Sequence, residues 1–127
     1  ALRLLRFERV LQQEARRAFG QPVKRLLNHG TYQCRPIGGV YGWASEHASG
    51  NALDIAGVVL KSGRYVRVIR RYPKSGPGRT ATQRFWKRLA TRLYREGVFS
   101  VVLTPNYDKV HHNHFHLDGA AYQVDGT

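Results

Sequence analysis

Ala52-Leu53-Asp54-Ile55-Ala56-Gly57-Val58-Val59-Leu60-Lys61-Ser62-Gly63 is the stretch on which the fold turns. Residues 52 to 60 are rich in strand-forming aliphatics, and Lys61-Ser62-Gly63 supplies a turn into a second extended run, Arg64 to Tyr72. Two such runs joined by a short Gly-containing turn read as an antiparallel hairpin. Successive strand side chains alternate faces, so Asp54 points away from the side taken by Leu53 and Ile55. A carboxylate in an otherwise apolar strand calls for a compensating cation.

Upstream, Leu4, Phe7, Leu11, Ala15 and Ala18 recur every three or four residues among Arg and Gln, which predicts an amphipathic helix over residues 2 to 19. Gly20 and Pro22 end it. A short basic segment follows, and Asn28-His29-Gly30 gives turn chemistry before a strand over Thr31 to Ile37. Residues 38 to 51 hold Gly38, Gly39, Gly42 and Gly50 and read as a loop. Downstream, residues 73 to 78 form a Pro- and Gly-rich linker, after which Thr80 or Thr82 caps a helix with Phe85, Trp86, Leu89, Ala90, Leu93 and Tyr94 on one face. Arg84, Arg88, Arg92 and Arg95 lie toward its other face and read as solvated surface. Phe99 to Thr104 and His114 to Leu117 complete the set as strands. With no repeat and no internal boundary, residues 1 to 127 make a single α+β domain: a small, mostly antiparallel sheet with flanking helices.

Composition supports a folded core, since 42% of the residues are hydrophobic and 23% charged, far from the disordered regime. Cys34 is the one cysteine, which excludes a disulfide framework. No run approaches the roughly 20 apolar residues of a membrane span. The N-terminal residues lack a signal-peptide pattern, so any targeting segment is expected to be absent from this chain. Net charge is +13, and no acidic residue falls between Asp54 and Glu96. Such a field favours a polyanionic partner.

Chemistry concentrates in two segments, Ser45-Glu46-His47-Ala48-Ser49-Gly50-Asn51-Ala52-Leu53-Asp54 and His111-His112-Asn113-His114-Phe115-His116-Leu117-Asp118. In an extended backbone His114 and His116 share one face while Phe115 and Leu117 enter the core. Two imidazoles and a carboxylate suit zinc, and three protein ligands leave a fourth position for water. His47, Asp54 and His116 fit that count and place the zinc site on one sheet face. Asp118 reads as a strand-end group or a support for the ligands, His112 as exposed, and Glu46 as a surface residue because it alternates away from His47.

The pattern Ser45-x-His47-x6-Asp54 with His111-x-x-His114-x-His116 resembles that of the lysostaphin-type and D-alanyl-D-alanine zinc metallopeptidases of peptidoglycan. Within them it is most similar to the bacterial extensin-like C-terminal domain family. The blocks that carry the resemblance are Thr31-Tyr32-x-Cys34-Arg35-Pro36, Ser45 to Ala56, Pro105-Asn106-Tyr107 and His114 to Asp118, so the motif-bearing core spans residues 31 to 118.

That resemblance implies Zn2+ held by His47, Asp54 and His116, with His114 catalytic, His111 lining the site, and Arg35 facing substrate to stabilise developing negative charge. It implies a hydrolase that cuts an amide bond in the peptide stem or cross-link of peptidoglycan, an endopeptidase rather than a carboxypeptidase. The chain is expected to be periplasmic or secreted, monomeric, attracted to an anionic cell-wall polymer and without a specific nucleic-acid partner. No pair of carboxylates is available for glycosidic acid–base work, because Asp54 is committed to metal. Two departures stand out. Asn113 occupies the place where some relatives carry a Glu general base, and a second cysteine expected near Glu96 to Phe99 is missing, which leaves Cys34 without a bridge. Two other readings are a zinc-containing wall-binding module without catalysis and a basic nucleic-acid-binding protein or nuclease; the latter is disfavoured because His112-Asn113-His114 is contiguous and no helical pattern follows it.

Overall fold

The computed structural model describes residues 2–28, 34–36 and 52–127, the middle segment through its backbone. Leu2–Phe19 forms helix α1, burying Phe7, Val10, Leu11 and Ala15 on one side as the apolar spacing requires, together with Glu14. Ala81–Arg95 forms the second helix, α2. Thr80, not Thr82, is its cap: the Thr80 hydroxyl accepts from the Gln83 amide while Gln83 reaches back to the cap, a reciprocal box that satisfies two otherwise orphaned donors.

Among the described residues seven strands make one sheet: β1 (Val23–Asn28), β2 (Cys34–Pro36), β3 (Ala52–Leu60), β4 (Tyr65–Arg67), β5 (Val101–Leu103), β6 (Phe115–Asp118) and β7 (Val124–Gly126). Their order is β2-β1-β3-β6-β5-β7, and β4 pairs with β3. Gly57 faces Leu27 of β1 on one side and Arg67 of β4 on the other, so β4 and β6 share the same edge of β3, β6 along residues 52 to 55 and β4 along residues 57 to 59. Glycine is required here: a Cβ at position 57 would lie 2.6 Å from the Val66 carbonyl oxygen. Five of the six described pairings are antiparallel and β5 with β7 run parallel, so the sheet is mostly antiparallel, as expected, but mixed.

Three elements differ from the expected set. The second arm of the hairpin, expected to reach Tyr72, stops at Arg67, because Arg70 turns into the left-handed region at φ 61° and the Arg71 amide bonds back to the Val68 carbonyl. Strand β1 occupies the short basic segment, and β7 lies in the tail. Of the strand expected over Thr31 to Ile37, Cys34–Pro36 is found as β2; the rest of that run and the glycine-rich loop over residues 38 to 51 lie outside the described residues.

One core lies between the helices and one face of the sheet. It joins Phe7 and Leu11 of α1 and Phe85, Trp86, Leu89 and Leu93 of α2 to Leu53, Ile55, Val58, Phe115 and Leu117. Trp86 packs edge-on to Phe115 at 5.2 Å between centroids, and its indole N–H donates to the Arg67 carbonyl at 3.0 Å. Apolar burial on this scale is what fixes strand register, since a one-residue slip of β3 or β6 would send its core residues to the other face. The register therefore also fixes which side chains project from the face turned away from the helices.

Candidate functional site

On that opposite face β3 and β6 place Asp54 directly across from His116. Asp54 Oδ1 lies 2.8 Å from His116 Nδ1, and Asp118 Oδ2 lies 3.5 Å from His116 Nε2. The imidazole is thus spanned by two carboxylates. The Asp54 hydrogen bond, helped by the charges of Asp54 and Asp118 and partly offset by burial, holds His116 above the ordinary imidazole range. Asp118 ends its strand opposite Ala52, as expected, and its carboxylate lies beside the far nitrogen of His116.

His114 enters β6 from the preceding turn. It is 6% exposed, while Phe115 and Leu117 are fully buried in the core on the other face, so the alternation holds. Its Nδ1 stands 2.9 Å from the Asn113 amide oxygen. An amide oxygen only accepts, so this partner assigns the proton of the neutral ring to Nδ1 and makes Nε2 the basic nitrogen. His112 is exposed, as expected.

His111 closes the group from a single 3-10 turn, Lys109–His111. Asp108 caps that turn by accepting from the His111 backbone amide and holds the same residue's Nδ1 at 2.6 Å. This hydrogen bond keeps the Asp108 carboxyl below its ordinary range. The His111 ring centroid is 5.0 Å from that of His114 and 6.3 Å from that of His116, and Tyr107 packs against it at 6.0 Å. Three imidazoles therefore gather with Asp54 and Asp118 on one surface. Sequence reasoning missed Asp108, although an Asp three residues before His111 has the spacing of an N-cap and its turn.

Two donors of the expected zinc set, Asp54 and His116, are brought together, with His116 presenting Nδ1 on the Asp54 side. The third, His47, and its neighbour Glu46 lie outside the described residues, and among the described residues no group of three His, Cys, Asp or Glu side chains is placed to hold a metal. Arg35 belongs to β2 opposite Leu26, two strands from Asp54 across β1. Cys34 pairs with Leu27 in the same strand. No described helix is long and apolar enough to cross a membrane.

The family model for the extensin-like protein C-terminus matches residues 2–126. The chain belongs to this family. The extensin-like match takes in both described α-helices and all seven described strands, a wider span than the core of residues 31 to 118 on which the motifs lie. Comparisons of this extensin-like chain with curated proteins and with solved structures gave no match.

Proposed function

We propose that this extensin-like domain is a zinc-dependent hydrolase of the lysostaphin and D-alanyl-D-alanine metallopeptidase type, cutting an amide bond in the peptide stem or cross-link of peptidoglycan. The observation that carries the reading is the cross-strand pair: Asp54 and His116 meet at 2.8 Å on a surface that also holds His114 and His111. One carboxylate oxygen and one imidazole nitrogen aimed at each other are a donor pair that zinc can accept. His47 would supply the third ligand. When bound, zinc lowers the pKa of its water to about 7 and polarises a carbonyl.

The chain's own residues supply the rest. Asp118 holds the far nitrogen of His116 and so orients the ligand ring, the supporting role that carboxylates commonly take beside metal-binding histidines. His114 takes a proton at Nε2, because Asn113 occupies Nδ1, and returns it to the departing amine. This arrangement answers the absence of a Glu at position 113: the amide there sets the tautomer of the neighbouring base. His111 is fixed by Asp108 with its ring against that of His114. Arg35 would face the substrate and steady charge on the carbonyl oxygen.

The endopeptidase reading predicts that purified dimeric muropeptides incubated with the zinc-loaded protein become monomers with new peptide termini. A carboxypeptidase would instead release only terminal D-alanine. New sugar reducing ends, or no change with zinc bound at one equivalent, would overturn the proposal. The setting it implies is the periplasm or the cell exterior, where the basic surface meets an anionic wall.

A further inference from the structure

At the other end of β3 from Asp54, a cleft of about 380 Å3 is lined by Arg64, Arg67, Arg70 and Arg71 with Tyr65 and Thr82. All four arginines are exposed, and among the described residues no carboxylate pairs with any of them. Six of the seven described acidic groups are engaged elsewhere, Glu14 and Glu96 by α2 arginines, Asp54 and Asp118 by His116, Asp108 by His111 and Asp125 by Thr127, and the seventh, Glu8 on α1, forms no ion pair with the cleft arginines. Like charges crowded into one cleft repel, so the protein holds them in place by other means. The Arg64 guanidinium lies 5.2 Å from the Phe19 ring centroid and that of Arg67 5.2 Å from the Tyr65 centroid, and Arg71 donates to the Arg70 carbonyl at 3.5 Å. Stacking fixes a guanidinium plane while leaving its N–H edge available. Arg70 is the single described non-glycine residue with positive φ, a conformation that costs free energy and persists where the surroundings impose it.

We infer that this cleft binds the phosphate groups of an anionic envelope polymer that carries them in series. Four guanidiniums without counter-charges match a ligand with more than one negative charge, and their forked donors suit phosphate oxygens in pairs. Arg67 lies opposite Gly57, three residues along β3 from Asp54, roughly 10 Å at about 3.3 Å per residue. Thr82 of α2 lines the cleft and Arg64 stacks on Phe19 of α1, so the cleft opens beside the helices, whereas the histidine cluster lies on the face turned away from them. The inference deepens the wall-directed reading above by naming where and through what chemistry the anionic partner is held, and its test uses metal-free protein, so a failure of zinc chemistry leaves its outcome legible.

Inorganic polyphosphate is the probe, titrated at fixed ionic strength. Arg67→Ala with Arg71→Ala should weaken binding by roughly tenfold or more, as loss of two charge-assisted contacts requires. Arg84→Ala with Arg95→Ala, which removes the same charge from exposed positions on α2, should weaken it by less than about threefold. Arg70→Gly should raise the melting temperature and still weaken binding, which separates loss of the site from loss of the fold. His116→Ala should bind polyphosphate as the parent does. Equal losses for the two arginine pairs, or polyglutamate of matched charge binding as tightly, would show a diffuse field and overturn the inference. A single-stranded oligonucleotide that binds far more tightly per charge through the same arginines would also overturn it, because bases would then carry the recognition.

Discussion

His116 is poised between two proton balances that run in opposite directions with pH. Its folded pKa is raised by Asp54, so the folded protein holds the ring proton more tightly than the unfolded chain does. In the chelated protein this pair contributes stability that is fully present below the unfolded imidazole value of about 6.5, and the contribution is lost as pH rises through the folded value. Zinc needs the deprotonated ring, so affinity should climb over the same interval. Thermal midpoints of the chelated protein should therefore fall above about pH 6.5 while the zinc Kd tightens, and His116→Gln should flatten both profiles. His116→Ala is expected to lose zinc in metal analysis of the purified protein. His114→Ala should keep the metal, because its ring is held by Asn113 beside the donor pair, yet lose about 100- to 10,000-fold in turnover. A His114→Ala variant that retains near-parental turnover would remove this residue from the chemistry.

Between elements, the two described helices are tied by Glu14, buried on α1 and clasped by Arg88 at 2.9 Å and Arg92 at 3.0 Å from α2. Arg92 is the more enclosed of the two and also grips Glu96, which it holds below the usual carboxylate range. Arg92→Ala should cost about 2 kcal/mol, discounted from the value of a fully buried pair because its guanidinium is partly solvated, and Arg88→Ala under about 1 kcal/mol. Urea unfolding of the two variants checks the order. This clasp also marks a boundary of sequence reading: a Glu inside the apolar stripe of α1, and the two arginines that satisfy it, look like separate surface residues until the helices are packed. The helices themselves were legible, because their apolar spacing is regular over whole turns. Strand β1 was not, because its alternation is broken: Val23 pairs with Leu60 but Arg25 with Val59, so Lys24 is an extra residue and the exposed pair Lys24-Arg25 hides the period of two. Strand β7 has three residues and no alternating pattern to find; its place comes from pairing with β5. The shared face of His114 and His116 was visible in the sequence because Phe115 and Leu117 anchor the register, whereas the Asp108–His111 clamp depends on a turn that the letters around it do not spell out.

Across the molecule, a net charge of +13 makes salt act with two signs. Screening relieves self-repulsion in the folded state, so the melting temperature should rise between low and moderate ionic strength, while retention on an anionic wall should weaken over the same range because the Debye length shrinks to about 10 Å at 0.1 M. Melting scans and sedimentation with purified cell walls, run in parallel salt series, check both signs. The sheet has a second whole-molecule consequence. Among the described residues its outermost strands, β2 and β7, and the side strand β4 each have three residues. Short edges present few unpaired backbone groups to another chain, and Pro36 in β2 removes one donor while Asp125 in β7 adds a charge. The brevity that hid β7 from a sequence reading also makes these described edges a poor template for edge-to-edge aggregation, so concentrated protein should remain free of β-rich fibrils.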